Sequence, residues 1–330
     1  MTQRTLMTLS SSVGLVVLSV SGTILTEASK EHGTYPYNTF LIPCTVEAVK
    51  FVASAVMFMS VRVKKGKFWA PLEFDVRDFL LYAFPALCFF VSNNCVFHII
   101  QHLDPCTFQV MSNLKVLSTG IFMRVFLNRK LSWAQWKALV LLVVGCMVTQ
   151  LRQTSGRTAA DSVQSPFWGY VFLMISVMVS SAGNVFSEKL LKSSCVDQRK
   201  PQEDQRCIHH QNMQLYTFGF VFGVLSLQTS SKTLQSRERG IYHGFNAYAY
   251  ALIVVSSACG LLVSFILKHL DTVAKCFCAA MSMLCVAFLD STMRHETFPL
   301  CVVLGVVLVF LALEQYSTSP FVNAFKSREL

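Results

Sequence analysis

The stretch that decides the fold runs from Leu103 to Lys137 and reads LDPCTFQVMSNLKVLSTGIFMRVFLNRKLSWAQWK. Asp104-Pro105 can start a helix, because proline suits the first helical turn and an aspartate there complements the helix dipole. A mostly apolar run then continues to Leu127, which is long enough to cross a bilayer. Arg129-Lys130 marks the exit into water.

Lys115 lies inside this apolar run. A cation near the middle of a membrane helix costs about 2.5–3.5 kcal/mol on insertion scales, so such residues usually face a water-filled cavity and a partner of opposite charge. We therefore expect Lys115 to bind an anion. The alternative is a lysine that extends to the membrane interface or pairs with Glu47.

Composition indicates a membrane protein. Of the 330 residues 53% are hydrophobic and 14% are charged, and the mean hydropathy is +0.49. A soluble domain carries about 25% charged residues. The apolar runs are continuous rather than alternating, which favours helices over a barrel. The net charge of +10 suits basic cytosolic loops and an anionic cargo.

The apolar runs predict an all-α polytopic protein with ten transmembrane helices. The predicted spans are residues 6–28, 39–61, 79–102, 106–127, 133–151, 167–191, 213–228, 246–267, 272–293 and 299–316. The seventh span is short, and the third carries Pro85 and Asn93-Asn94. Interrupted or polar helices often mark transporter binding sites.

Loop charges predict the orientation. The set of alternate loops that contains both termini holds more than twice as many lysine and arginine residues as the opposite set. The positive-inside rule then places both termini in the cytosol, and makes residues 192–211 a cytosolic linker. The loop around Gly156 is expected on the opposite side.

The two halves of the chain resemble each other weakly, and a coincidence of short dipeptides is the alternative explanation. Leu103-Asp104 and Leu270-Asp271 each open a span that carries a lysine, Lys115 in the first case and Lys275 in the second. Residues 1–151 would form a first five-helix repeat, and residues 152–330 the remaining five spans. Five is an odd number, so the repeats would be inverted, which is a transporter architecture with its site at the repeat interface.

Glu47 and Lys50 lie three residues apart in the second span and can pair, with either a structural or a gating role. Asn93-Asn94 must bond a neighbouring helix or a ligand, because buried amides need partners. In a continuous helix Gln109 and Asn113 would share a face, and Lys115 would lie about 200° round from Asn113.

Enzyme signatures are missing. The sequence has no Gly-rich phosphate loop, no dinucleotide fingerprint and no serine nucleophile elbow. Its cysteines match no zinc pattern. We therefore expect a carrier for an anion, with no enzymatic activity, cofactor, metal or nucleic-acid partner.

Several motifs together resemble the Golgi nucleotide-sugar transporters, in the branch of CMP-sialic acid and UDP-galactose carriers. The first is the stretch DP-x-TFQVMSNLK followed by RKLSWAQW. The others are Glu47-Ala48-Val49-Lys50, Ser92-Asn93-Asn94, Phe186-Ser187-Glu188-Lys189, Asn212-Met213-Gln214-Leu215-Tyr216 with Gly219, and Lys268 with Asp271 and Lys275.

This resemblance implies a ten-helix drug/metabolite-transporter fold in the Golgi membrane, with the ER membrane as the other candidate. It implies exchange of a cytosolic nucleotide sugar for a lumenal nucleoside monophosphate. The sugar stays open, and so does an oligomer with itself or with related transporters.

The resemblance also assigns roles to residues. Lys115 and Lys275 would contact phosphate. The base and ribose pocket would be shaped by Asn93, Asn212, Tyr216, Gly219, Phe89 and Phe108, with Gln109 nearby. The chain departs from the family pattern: Phe89 and Phe108 replace tyrosines, Phe218 replaces a small residue, Ser92 a glutamine and Cys259 a glycine. These departures put the base and sugar preference in question.

Two alternatives follow from the departures. The chain could be a transport-inactive member that regulates other carriers through interaction, or a carrier of another small organic anion.

Overall fold

The computed structural model describes residues 3–31, 35–66, 75–103, 105–154, 166–193, 207–229, 242–293 and 300–318. Twelve α-helices form the regular elements of these ranges. In chain order they are α1 Gln3–Ala28, α2 Leu41–Lys64, α3 Val76–Leu81, α4 Ala83–His102, α5 Pro105–Ser112, α6 Lys115–Leu127, α7 Trp133–Thr154, α8 Pro166–Ser193, α9 Ile208–Thr229, α10 Ala247–His269, α11 Thr272–Met293 and α12 Leu300–Thr318.

Nine segments in the described ranges are long and apolar enough to cross a membrane. Two of them join neighbouring helices, α3 with α4 and α5 with α6. The chain is therefore a multi-pass helical membrane protein. The seventh predicted span, residues 213–228, corresponds to α9, which is not among the nine. Its first two turns carry His209, His210, Gln211, Asn212 and Gln214, which lower its mean hydropathy.

Two of the predicted spans contain a break that divides each of them into two helices. The third breaks at Tyr82, between α3 and α4, and the fourth at Asn113-Leu114, between α5 and α6. At the second break the backbone makes bonds to the residue three positions earlier, from Leu114 N to Met111 O at 3.0 Å and from Val116 N to Asn113 O at 3.0 Å. The turn is tight enough to end one helix and start another.

The linker predicted at 192–211 is shorter than expected. Helix α8 continues to Ser193 and α9 already begins at Ile208. Helix α9, which corresponds to the seventh predicted span, is 22 residues long rather than short.

Other predictions fall outside the described residues. They concern Asp104, the loop around Gly156, residues 194–206 of the linker and the C-terminal tail.

The chain packs into two compact units. The first unit consists of Met1–Phe90 and Leu190–Asp271, and the second of Val91–Lys189 and Thr272–Leu330. Each unit therefore takes helices from both halves of the sequence. The predicted repeat boundary at residue 151 concerns chain order and stays a prediction.

In the first unit α1 packs on α10 and α2 packs on α9. The α2–α9 contact is close at Gly223, where an added Cβ would lie 3.3 Å from the Cα of Cys44. Asn246 caps α10, because its Oδ1 accepts a bond from Ala249 N at 2.9 Å. The same amide donates to Ser29 O at 3.1 Å and so ties α10 to the end of α1.

In the second unit α7 is central and packs on α12, α6 and α11. Leu139 and Leu142 of α7 are fully buried, together with Met123 of α6. The α7–α12 crossing is very close: an added Cβ on Gly305 would lie 2.0 Å from Thr149 Oγ1 and 3.0 Å from Gly145 O. Small residues permit such close helix contacts in membranes.

The turn between α6 and α7 follows directly from its sequence. Asn128 ends α6 in the left-handed region, with φ of 52°, which asparagine tolerates well. Ser132 and Gln135 then form a capping box at the start of α7. Gln135 N donates to Ser132 Oγ at 3.2 Å, and Ser132 N donates to Gln135 Oε1 at 2.9 Å.

The close crossing at Gly305 makes a stability prediction. Gly305→Val should lower the free energy of unfolding by about 1–3 kcal/mol, because the side chain has no room beside Thr149. The measurement is the thermal transition of the purified protein in detergent. Leu304→Val is the matched control, since Leu304 is 47% exposed on the outer face of α12. Equal transitions for both variants would contradict the packing described.

Candidate functional site

The predicted site residues divide between the two units. The second unit holds Lys115, Lys275, Asn93, Phe108 and Gln109. The first unit holds a second group, which comprises Glu47, Lys50, Phe89, Asn212, Tyr216 and Gly219. Each group has its own geometry.

Lys115 is the first residue of α6, immediately after the break that separates α5 from α6. Its side chain is exposed. Although Val116 N is bonded to Asn113 O at 3.0 Å, the first turn of α6 is the positive end of that helix's dipole. The lysine charge and the helix end therefore favour an anion at the same position.

One face of α8 contacts the backbone of Lys115 and the side chain of Lys275. Ser181 Oγ donates to Lys115 O at 3.0 Å. One turn further along, Asn184 Oδ1 accepts a bond from Lys275 Nζ at 2.5 Å. Residues three apart on a helix share a face. The segments that carry the two lysines are thus both fixed to neighbouring positions on one helix.

The same face of α8 continues to Glu188, which is fully buried. Its Oε2 accepts bonds from Thr272 N at 2.7 Å and from Thr272 Oγ1 at 2.6 Å. Thr272 is the first residue of α11, so the carboxylate binds the positive end of that helix. Arg129, in the turn after α6, lies 3.7 Å from Glu188 Oε1.

The sequence analysis placed Glu188 within a motif without assigning it a role, and it did not identify Asn184. An acidic residue and an amide inside the predicted span 167–191 were the available signals, since polar groups in membrane helices need partners. Their partners in α11 are 91 and 84 residues away in the chain, and no short-range pattern identifies such contacts.

Asn113 lies at the break and bonds Gln150 of α7. Its Nδ2 reaches Gln150 Oε1 at 3.3 Å and also the backbone oxygen of Gln109 at 3.2 Å. The 200° separation from Lys115 assumed a continuous helix and does not apply across this turn. The Gln109 side chain is exposed.

The first unit contains a group of polar side chains around Lys50. Lys50 Nζ and Glu47 Oε1 form an ion pair at 2.5 Å, as their spacing in the sequence predicted. Lys50 Nζ also lies 4.4 Å from the centre of the Tyr216 ring. The Tyr216 hydroxyl contacts Ser264 Oγ at 3.0 Å. Helices α2, α9 and α10 are joined through these polar groups.

Two glycines make room for this ion pair. An added Cβ on Gly219 of α9 would lie 2.8 Å from Glu47 Oε2. An added Cβ on Gly260 of α10 would lie 2.6 Å from Lys50 Cδ. The face Gly219–Gly223 therefore packs against α2, and larger residues would displace the charged pair.

The remaining predicted residues differ in exposure. Asn212 is 2% exposed, and within the described ranges its Oδ1 has no hydrogen-bond donor. Asn93 is exposed, while Phe89 and Phe108 are half-buried. Phe108 packs beside the core formed by α4 and α8.

Among the residues that depart from the family pattern, Ser92 is buried and its Oγ contacts Ser176 Oγ at 2.9 Å. The Phe218 ring packs 4.6 Å from the ring of Phe79. Ser92 and Phe218 therefore each make contacts within their own unit.

Comparison with known proteins finds the same kind of relative by family profile and by pairwise identity. The sequence profile of the nucleotide-sugar transporter family matches residues 3–317. The chain is 30% identical over 309 residues to CMP-sialic acid transporter 1 of Oryza sativa subsp. japonica, covering 92% of this chain and 91% of that protein. It is 29% identical over 312 residues to CMP-sialic acid transporter 1 of Arabidopsis thaliana, covering 93% and 88%.

A further relative is the Xenopus tropicalis protein named "Probable UDP-sugar transporter protein SLC35A4", which is 28% identical over 295 residues and is covered to 84%. A crystal structure of another protein matches with a TM-score of 0.61 over 92% of this chain and 94% of that chain. At 10% identity, that match concerns the fold alone.

The buried carboxylate of Glu188 makes a prediction. Glu188→Ala removes two short hydrogen bonds to Thr272 and should lower the free energy of unfolding by about 3 kcal/mol. Glu188→Gln keeps an oxygen and should lose less. Thermal transitions in detergent measure both. Glu314→Ala, which removes an exposed carboxylate on α12, is the control. A Glu188→Ala protein as stable as this control would contradict the role.

Proposed function

The chain belongs to the nucleotide-sugar transporter family, and on that premise we propose that it is a Golgi antiporter. It exchanges a cytosolic CMP- or UDP-sugar for a lumenal nucleoside monophosphate. The names of its relatives include both CMP-sialic acid and UDP-sugar transporters, which supports a pyrimidine nucleotide. The departures at Phe89 and Phe108 leave both bases within the proposal.

The observation that carries this proposal is that the segments carrying the two lysines both contact one face of α8. Ser181 fixes the start of α6 at Lys115, and Asn184 contacts the ammonium of Lys275. Two ammonium groups can neutralise a phosphate as point charges. The interrupted helix at Asn113-Leu114 adds a helix end of positive sign, as discontinuous helices do for anionic substrates in other transporters.

Asn212, Tyr216 and Gly219 are assigned to the base and ribose pocket. The buried Oδ1 of Asn212 is an acceptor that a ligand N–H or O–H can satisfy, and leaving such a group unbonded costs about 1–3 kcal/mol. The Tyr216 hydroxyl already contacts Ser264, and the Lys50 ammonium group lies over its ring. Tyr216 therefore supports the site by holding these two residues in place. Gly219 keeps the space for Glu47.

We assign the Glu47–Lys50 pair a gating role. Within the pair the charges compensate each other, so the helices α2, α9 and α10 can bury it at low cost. A movement of α9 or α10 that closes the space at Gly219 or Gly260 would separate the charges. Such coupling between helix position and an ion pair is what alternating access requires.

The helix contacts support two inverted five-span repeats, residues 1–151 and 152–330, with α9 as the seventh span. A repeat relates span 1 to span 6, span 2 to span 7, and so on. Spans 2 and 7 pack together, as do spans 5 and 10. Spans 4 and 5 pack, and so do their counterparts 9 and 10. The contact of span 1 with span 8 corresponds to that of span 3 with span 6.

The two lysines give the first functional prediction. Lys115→Ala and Lys275→Ala should each reduce nucleotide exchange at least a hundredfold and leave the thermal transition within a few degrees of wild type, because removing a charge from a membrane helix does not impair insertion. Exchange of labelled nucleotide in proteoliposomes measures this effect. Lys130→Ala, an exposed lysine in the turn after α6, is the control. Near-normal exchange by either mutant contradicts the phosphate assignment.

The same assay separates the alternatives. Wild-type proteoliposomes loaded with monophosphate are tested against CMP-, UDP- and GDP-sugars and against small organic anions. Uptake of a pyrimidine nucleotide sugar only with monophosphate inside is the expected result. Uptake of an organic anion alone favours a different carrier, and no uptake at all favours the interaction protein.

Topology gives another prediction. Both termini should be cytosolic, since the basic loops lie on their side. A tag at the C-terminus should be digested by protease added to sealed microsomes, while a tag in the loop around Gly156 should resist until detergent is added. Protection of the C-terminal tag would contradict the orientation.

A further inference from the structure

The amide of Asn184 is held in one orientation. Its Nδ2 donates to Ser180 O at 2.8 Å, in the preceding turn of α8. Its Oδ1 therefore points away from that bond, and this oxygen receives Lys275 Nζ at 2.5 Å. Because an ammonium group can only donate, the oxygen is the one amide atom that Lys275 can use.

The contact places an uncharged acceptor against a lysine in a membrane helix. The first unit shows the other arrangement, in which the carboxylate of Glu47 neutralises Lys50 at the same distance of 2.5 Å. A carboxylate competes with an incoming phosphate for the ammonium group, because both are anions. An amide satisfies one N–H of the lysine and leaves its charge intact.

We propose that Asn184 is the residue that positions Lys275 and sets its affinity for phosphate, an inference that rests on the proposed function of Lys275. In the absence of ligand the amide oxygen holds the ammonium group on the face of α8 that also fixes Lys115. When a nucleotide binds, the phosphate oxygens take over this donor at little electrostatic cost. The contact with Asn184 thus orders Lys275 in advance through an acceptor that carries no charge.

The side chain at position 184 also discriminates between ligands. A neutral partner favours ligands that carry negative charge at this position, whereas it contributes nothing to the binding of an uncharged nucleoside. Replacing the amide by a carboxylate of the same shape should therefore weaken the binding of nucleotides and not of nucleosides.

The test compares Asn184→Asp with wild type in full-length protein reconstituted in liposomes. Inhibition of labelled CMP exchange is measured with unlabelled CMP and with cytidine. We expect CMP inhibition to weaken at least tenfold in Asn184→Asp, since the new carboxylate pairs with Lys275 and repels phosphate. Cytidine inhibition should stay within twofold. The thermal transition should be unchanged or raised, because an ion pair replaces a neutral contact.

Asn128→Asp is the matched control. It makes the same chemical change at an exposed position in the turn after α6. It should leave CMP and cytidine inhibition as in wild type. A wild-type protein that exchanges no nucleotide would refute the proposed function itself, which separates that failure from failure of the present inference.

Two outcomes overturn the inference while wild type remains active. The first is CMP inhibition of Asn184→Asp within twofold of wild type. The second is an equal weakening for CMP and cytidine, which indicates general damage to the site. Should Asn184→Asp not fold, Asn184→Ala decides: loss of the amide frees the lysine side chain and should weaken CMP about threefold and cytidine not at all. Unchanged CMP inhibition in Asn184→Ala overturns the inference.

Discussion

The second unit depends on one strip of α8 formed by Ser181, Asn184 and Glu188. These residues hold the first residue of α6, the lysine of α11 and the first residue of α11. A membrane interior offers no water to replace any of these bonds, so each must be made within the protein. Glu188 is the anchor of the strip, because its buried carboxylate binds the end of α11 and faces Arg129. The backbone of Lys115 and the ammonium group of Lys275 are consequently held by the same helix that carries Glu188.

The first unit holds its intramembrane lysine with a charged partner rather than an uncharged one. Lys50 lies against the carboxylate of Glu47 and above the ring of Tyr216. The glycines at 219 and 260 remove the two side chains that would otherwise occupy this space. The chain thus holds one intramembrane lysine as part of an ion pair and another through an amide. Our proposed roles, gating for Lys50 and phosphate binding for Lys275, rest on this difference between their partners.

Sequence reasoning was reliable where the physics is local. Apolar length identified the helices that cross the membrane, and the spacing of Glu47 and Lys50 predicted a contact that is present. The break at Asn113-Leu114 could not be seen, since neither glycine nor proline marks it. The start of α9 was missed because its polar first turns look like a loop. The partners of Asn184 and Glu188 depend on tertiary packing, which hydrophobic periodicity does not encode.

The interleaving of the units has a consequence for biosynthesis. Helix α1 ends at Ala28 and packs on α10, which begins at Ala247. At roughly 5–20 residues per second, the ribosome makes the second of these helices roughly ten to forty seconds after the first. During that interval α1 lacks the helix on which it packs in the folded protein. The first unit therefore cannot complete its packing until the second half of the chain has been synthesised.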